Sequence, residues 1–253
     1  GLFRSAVVQS GGFQMWTTKS LADAEKNFRA LAEGVGCGTD PALVVDCLLQ
    51  LDGKRLLKVS QGTRLPHTDS WDACQWAPVV DGVELARPPA DLVEAGETAP
   101  GVRVILGTNK DEGTAFISYN HTGEHWVPYH LTAEGFAAYV RRQWGDKAGP
   151  LLHDIYRVDP HRPDPRRGTY KDWWTAAQFA VGDYMMTCPT RYIGRQLSRR
   201  GVPTWLYMFS EMPGNKLNRD GVFHGAEIRF MLYALDELNY GPRAGEDERL
   251  LSR

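Results

Sequence analysis

Residues 102–114 read VRVILGTNKDEGT, an apolar run that leads into a polar stretch carrying two acids. The run Val102 to Leu106 predicts a strand buried in a sheet. The residues after it are typical of a turn, with Asp111 and Glu112 next to each other. An acid on a loop that directly follows a strand is a frequent position for a functional side chain.

A second stretch, residues 221–228, reads GVFHGAEI and carries a histidine. His224 lies between apolar Phe223 and Gly225, and an amphipathic run follows. A catalytic imidazole is often held this way, on a loop with a small neighbour that leaves the ring open. An acid after a strand and a histidine on a later loop match the second half of the order Ser, Asp or Glu, His found in α/β-hydrolases.

Five blocks resemble, in the same order, motifs of the type-B carboxylesterases, the cholinesterase-like branch of the α/β-hydrolases. They are GLFRSAVVQSGG (1–12), APVVDG (77–82), GTNKDEGT (107–114), Cys188-Pro189 and FHGAE (223–227). The resemblance implies an α/β fold, the C-terminal-side portion of an α/β-hydrolase, with a mostly parallel sheet flanked by helices and with helical insertions. It also implies that residues 1–253 form one partial domain, truncated at both ends.

The resemblance implies roles for three polar side chains. The family's acid directly precedes a glycine, which selects Glu112 before Gly113, and His224 becomes the general base. We expect Asp111 to bond nearby backbone or a basic side chain instead. The serine of the Gln-Ser-Gly block supports the acid in this family, so Ser10 is a candidate for that hydrogen bond, although a turn serine can also bond its own backbone.

The nucleophile is missing from these residues, because no Gly-x-Ser-x-Gly occurs in the sequence. The family places its nucleophilic serine upstream of the Gln-Ser-Gly block, which here means before residue 1. We therefore expect an internal piece of a longer esterase that is inactive alone.

The implied activity of the parent is carboxylic ester hydrolysis by a Ser-Glu-His triad through an acyl-enzyme. One alternative is a cholinesterase-like adhesion or binding module without catalysis, although such relatives usually lose triad residues. Another is a folded but inactive natural fragment, which would expose the apolar faces and edges of its remaining strands.

Pocket residues are indicated by the family pattern before Pro78. Asp72, Ala73 and Cys74 occupy the zone that lines the acyl side of the pocket. Cys74, Trp76, Phe116 and Phe223 are the candidates for lining the substrate pocket. Trp76 can equally be a core or surface aromatic.

The family also carries a disulfide at a position similar to Cys37 and Cys47. The alternative is a pair of free thiols in a cytosolic protein. A disulfide indicates a secreted or extracellular protein, with the cytoplasm as the alternative compartment.

Composition excludes several classes of function. The chain has 253 residues, 42% hydrophobic and 24% charged, with a net charge of -2, which indicates a globular protein without a nucleic-acid surface. The sequence contains no apolar run of about 18 residues that could span a membrane. His121, His125 and His130 match no zinc spacing, so we expect no metal and no cofactor. A small-molecule carboxylic ester is the expected partner, and oligomeric state is not indicated.

Periodicity and cap residues predict the regular elements. Predicted strands cover Ala6–Val8 and Val102–Leu106, both expected to be buried, and Thr204–Phe209. Predicted helices cover Leu21–Gly34, Pro41–Gln50, Pro88–Gly96, Leu131–Trp144, Ala148–Tyr156 and a long or kinked Tyr170–Arg199 with Pro189 as the kink.

Overall fold

The structure, a computed structural model, describes residues 2–13, 17–62, 76–118, 126–211 and 221–232. The chain divides into two compact units, one formed by residues 1–12 and 99–253 and the other by residues 13–98. The first unit contains the parallel sheet and both loops singled out above, and the second contains the disulfide.

The described residues form short strands and helices. The strands are β1 (Ser5–Gln9), β2 (Lys19–Ser20), β3 (Val79–Val80), β4 (Arg103–Asn109), β5 (Arg157–Val158), β6 (Thr169–Tyr170) and β7 (Thr204–Phe209). The helices are α1 (Leu21–Gly34), α2 (Val44–Leu49), α3 (Gly53–Gly62), α4 (Pro89–Ala95), α5 (Thr114–Ser118), α6 (Ala133–Trp144), α7 (Ala148–Ile155), α8 (Trp173–Gly182), α9 (Cys188–Arg199) and α10 (Ile228–Met231).

The sheet that positions the site has three parallel strands in the order β1-β4-β7. This arrangement, with flanking helices, confirms the predicted α/β class. One row of the register joins Gln9, Gly107 and Tyr207 across the three strands. A Cβ atom on Gly107 would lie 1.9 Å from the ring of Tyr207, so only glycine lets that ring lie over β4. Because the strands are parallel, their C-terminal ends meet at one edge, where such folds place ligand sites.

The central strand β4 is half-covered. Val104 and Leu106 are buried, and α9 packs against β4 and β7. The opposite row of Val7, Ile105 and Trp205 is exposed, with Val7 at 52% and Trp205 at 54%. The prediction that the strands at Ala6–Val8 and Val102–Leu106 are buried was therefore wrong for one face of the sheet, where Val7 and Ile105 are exposed.

The predicted helical region Tyr170–Arg199 is divided into four elements. Tyr170 pairs in β6, α8 ends at Gly182, and a π-helical turn at Asp183–Thr187 leads into α9. Pro189 lies in the first turn of α9, where its missing N–H is tolerated. The irregularity therefore precedes the proline. Such single-turn π segments often occur inside long helices.

Other boundaries differ by a few residues. The helix expected at Pro41–Gln50 begins at Val44, because Asp40 first forms a turn in which its Oδ1 accepts the N–H of Ala42 at 2.9 Å. The strand expected to end at Leu106 continues to Asn109. Helix α1 and strand β7 have the predicted bounds.

The second unit contains a disulfide between Cys37 and Cys47, as predicted, with Cα atoms 5.6 Å apart. Cys37 follows the end of α1, and Cys47 lies in α2, so the bridge joins the two helices. Such bonds are typical of oxidising compartments. Within the described residues, no helix has both the length and the apolar character needed to cross a membrane.

Breaking this bridge should lower stability. Cys37 and Cys47 are 10 positions apart, and the chain-entropy model for a loop of that size predicts a loss of about 2–3 kcal/mol in the free energy of unfolding. We expect Cys47→Ser to show this loss in denaturant titrations followed by circular dichroism.

The matched control is Cys188→Ser, because Cys188 is an exposed free cysteine. It should change the free energy of unfolding by less than about 0.5 kcal/mol. Two results together would contradict the bridge: Cys47→Ser as stable as wild type, and labelling of both Cys37 and Cys47 in the wild-type protein by a thiol reagent before reduction.

Candidate active site

Glu112 and His224 are in direct contact at the C-terminal edge of the sheet. Glu112 lies on the acid loop (residues 110–113), which follows β4, and His224 lies on the histidine loop (residues 221–227). Glu112 Oε2 and His224 Nδ1 are 2.7 Å apart, although the residues are 112 positions apart in sequence. The structure thus brings together the two residues that the family motifs selected as acid and base, and their catalytic roles stay a prediction.

The carboxylate of Glu112 is 1% exposed and uses both oxygens. Its Oε1 accepts the Asn109 backbone N–H at 2.6 Å and a close hydrogen bond from the Ser10 hydroxyl. Ser10 has a φ of 55°, which is rare outside glycine, and its own N–H donates to Gly107 O at 2.8 Å. In this turn conformation the Ser10 hydroxyl faces Glu112. The hydrogen bond expected between Ser10 and the acid is therefore present.

Gly113 lets the acid loop approach α8 closely. A Cβ atom there would lie 1.8 Å from the carbonyl oxygen of Gln178. The acid that precedes this glycine is thereby held against a buried helix. This close approach gives a physical reason for the Glu-Gly pair in the motif.

Asp111 binds the histidine loop instead of the histidine ring. Its Oδ2 accepts the Val222 N–H at 2.9 Å, and its own N–H donates to Val222 O at 3.0 Å. The two adjacent acids therefore contact different groups, Glu112 the imidazole and Asp111 the backbone of the histidine loop. As expected, Asp111 bonds backbone.

The ring of His224 is held on one side and open on the other. Its side chain is 40% exposed, and the ring of Phe116 lies 5.2 Å away, centroid to centroid. A carboxylate only accepts, so Nδ1 carries the hydrogen and Nε2 of the neutral ring is the acceptor. The hydrogen bond to Glu112 raises the pKa of His224 above its ordinary value, burial opposes this, and the charges of Glu112 and Glu227 add to the rise.

Phe116 and Phe223 are the two predicted pocket residues that lie beside or on the histidine loop. Phe116 lies beside His224. Phe223 is buried in an apolar cluster with Val222, Ala226 and Phe209, and its pocket role stays a prediction. Trp76 belongs to the other unit, where its indole N–H donates to Ser60 Oγ at 2.9 Å. Cys74, like His121 and His125, lies outside the described residues.

Four further polar residues at the site, Gln9, Asn109, Tyr207 and Glu227, were not predicted as site residues. Glu227 is buried, and its carboxylate accepts a close hydrogen bond from Asn109 Nδ2 and a longer one, 3.5 Å, from Gln9 Nε2. Burial raises the pKa of Tyr207, which is also hydrogen-bonded to Gln9. Glu227 lies in the block 223–227 and Asn109 in the block 107–114. Their place in these family-like blocks was the signal from which the sequence could have identified them as site residues.

The described residues hold no group of three or more His, Cys, Asp or Glu side chains placed to bind a metal ion. The chemistry available from them is proton transfer by a carboxylate-bound imidazole.

Comparison with known proteins decides the family. The family model described as "Carboxylesterase family" matches residues 1–253. The chain belongs to the carboxylesterase family. Acetylcholinesterase from Leptinotarsa decemlineata is 24% identical over 251 residues, which cover 91% of this chain and 37% of that protein. The chain thus spans little more than a third of this relative's length. Ester hydrolysis is the general activity of the family, and Glu112 and His224 are this carboxylesterase chain's hydrogen-bonded acid and imidazole.

The pKa of His224 should depend on Glu112. A pKa raised in the folded state stabilises the fold fully below the unfolded value of about 6.5, and this stability is lost as pH rises through the folded value. In Glu112→Gln we expect the pKa of His224 to fall, measured by NMR titration of the imidazole. The advantage of wild type over this variant in unfolding temperature should also shrink as pH rises above about 6.5.

The matched control is Asp111→Asn, because Asp111 contacts the Val222 backbone and leaves the hydrogen bond between Glu112 and His224 in place, so the pKa of His224 should stay raised. An unchanged pKa of His224 in Glu112→Gln would show that the pair does not form in solution.

Proposed function

We propose that the protein containing residues 1–253 hydrolyses small carboxylic esters through an acyl-enzyme, with Glu112 as the triad acid and His224 as the general base. The nucleophilic serine is proposed to lie outside these residues, because none of their serines has glycines two positions before and after it. These residues alone are then expected to lack esterase activity.

The observation that carries the proposal is the 2.7 Å contact between Glu112 Oε2 and His224 Nδ1. A carboxylate on Nδ1 fixes the imidazole tautomer that leaves Nε2 as the base. The half-exposed ring allows a substrate and a serine to approach. Membership of the carboxylesterase family makes ester hydrolysis the reaction that this pair would serve.

In the first half of the proposed reaction, Nε2 of His224 takes the proton from the serine hydroxyl as its oxygen attacks the ester carbonyl carbon. Glu112 stabilises the imidazolium that forms. The same proton passes to the alkoxide as the C–O bond breaks, which releases the alcohol and leaves an acyl-serine. Water then attacks the acyl group by the same route, so the products are a carboxylic acid and the free serine.

A non-catalytic binding module is disfavoured, because such a module would not require a buried acid bonded to an imidazole.

The second part of the proposal concerns the compartment in which the protein works. The Cys37–Cys47 bridge supports an oxidising, secreted or extracellular environment.

Two neighbouring isosteric changes test the acid. In the full-length protein, Glu112→Gln should lower kcat/KM for a short-chain nitrophenyl ester by about 10²–10⁴, the typical contribution of general-base catalysis. Asp111→Asn should change it less than about tenfold, because the amide oxygen can still accept the Val222 N–H. His224→Ala should lose at least as much as Glu112→Gln.

The ranking of the variants decides the assignment. If Asp111→Asn lowers kcat/KM strongly and Glu112→Gln lowers it only slightly, Asp111 rather than Glu112 is the triad acid. Full turnover in His224→Ala would reject the proposed reaction.

A further inference from the structure

Asn109 joins the acid loop to the histidine loop. It is the last residue of β4 and is 2% exposed. Its backbone N–H donates to Glu112 Oε1 at 2.6 Å. Its side-chain Nδ2 donates to Phe223 O at 2.9 Å and makes a close hydrogen bond to Glu227 Oε2. One residue thus contacts the acid and both flanks of His224.

The chemistry of this position favours a carboxamide. An amide nitrogen carries two N–H donors, and here the two face two buried acceptors, a carbonyl oxygen and a carboxylate oxygen. Aspartate has no donor when ionised, and alanine has none at all. Either change would leave both acceptors without this partner, and a buried acceptor without a partner is costly.

These contacts restrict where the imidazole can lie. Phe223 precedes His224 directly, and Glu227 follows it by three residues, so the two bonds fix the chain on both sides of the ring. Asp111 holds Val222, one residue farther upstream. A ring displaced from Glu112 by even about 1 Å would lose the geometry that proton transfer requires.

We propose that Asn109 is a positioning residue, which holds the histidine loop so that His224 Nδ1 meets Glu112. Its effect on turnover rests on the function proposed above. Its effect on the His224–Glu112 contact does not, and that contact can be measured without a substrate.

The experiment is an NMR titration of His224 in the full-length protein, with the signal assigned by its loss in His224→Gln. In Asn109→Ala the pKa of His224 should fall toward the ordinary value of about 6.5, because the hydrogen bond to Glu112 is populated less. The matched control is Asn27→Ala, which removes a fully buried asparagine from α1 in the other unit. Both variants should lose thermal stability, but only the first should move the His224 titration.

An unchanged His224 titration in folded Asn109→Ala would overturn the proposal, whatever its loss in unfolding temperature. If Asn109→Ala does not fold, Asn109→Ser is compared with Asn27→Ser. Serine keeps one donor and a small volume, so we expect a smaller fall in the pKa, and no fall at all would again overturn the proposal.

Turnover in the full-length protein separates this inference from the proposed function. We expect Asn109→Ala to lower kcat about 10–100-fold with little change in KM. A lowered His224 pKa together with full turnover in His224→Ala would reject the esterase mechanism and keep the positioning role. Loss of turnover in His224→Ala, with pKa and kcat both unchanged in Asn109→Ala, would reject the positioning role alone.

Discussion

The buried carboxylate of Glu112 is the constraint on which the site depends. An ionised carboxylate removed from water is strongly unfavourable unless hydrogen bonds replace the lost hydration. Here the donors come from three separate parts of the chain: the end of β1 through Ser10, the end of β4 through Asn109, and the histidine loop through His224. Satisfying this one group therefore brings together Ser10, which lies 102 positions before Glu112, and His224, which lies 112 positions after it.

The parallel sheet makes that convergence possible. Strands β1, β4 and β7 end at the same edge, so the segments that leave them start side by side. Glycines then allow distances that other residues would prevent, under the Tyr207 ring at Gly107 and against α8 at Gly113. The histidine loop is held to the acid loop by backbone and side-chain bonds from Asp111 and Asn109, so His224 needs no secondary structure of its own.

Local signals were sufficient for part of the fold, and the resemblance to the family motifs selected the two main residues of the candidate site. The apolar stripe and Gly34 defined α1, and the apolar run at Thr204–Phe209 defined β7. Glu112 was separated from Asp111 by its place before Gly113, and the structure shows that the two side chains contact different partners. The features that could not be predicted from the sequence depend on residues far away in the chain. The exposure of Val7 is set by what covers the sheet, and the contact of Asn109 with Glu227 joins residues 118 positions apart. The π-helical turn at Asp183–Thr187 was also missed, because the segment contains no glycine or proline that would indicate an irregular helix.

The most direct test of the account is peptide mapping of the full-length protein after reaction with a fluorophosphonate, which labels serines activated by a neighbouring base. The account predicts a single labelled serine outside residues 1–253, in a Gly-x-Ser-x-Gly sequence, and a large loss of labelling in His224→Ala. Stoichiometric labelling of a serine within residues 1–253, or labelling that is indifferent to His224→Ala, would contradict it.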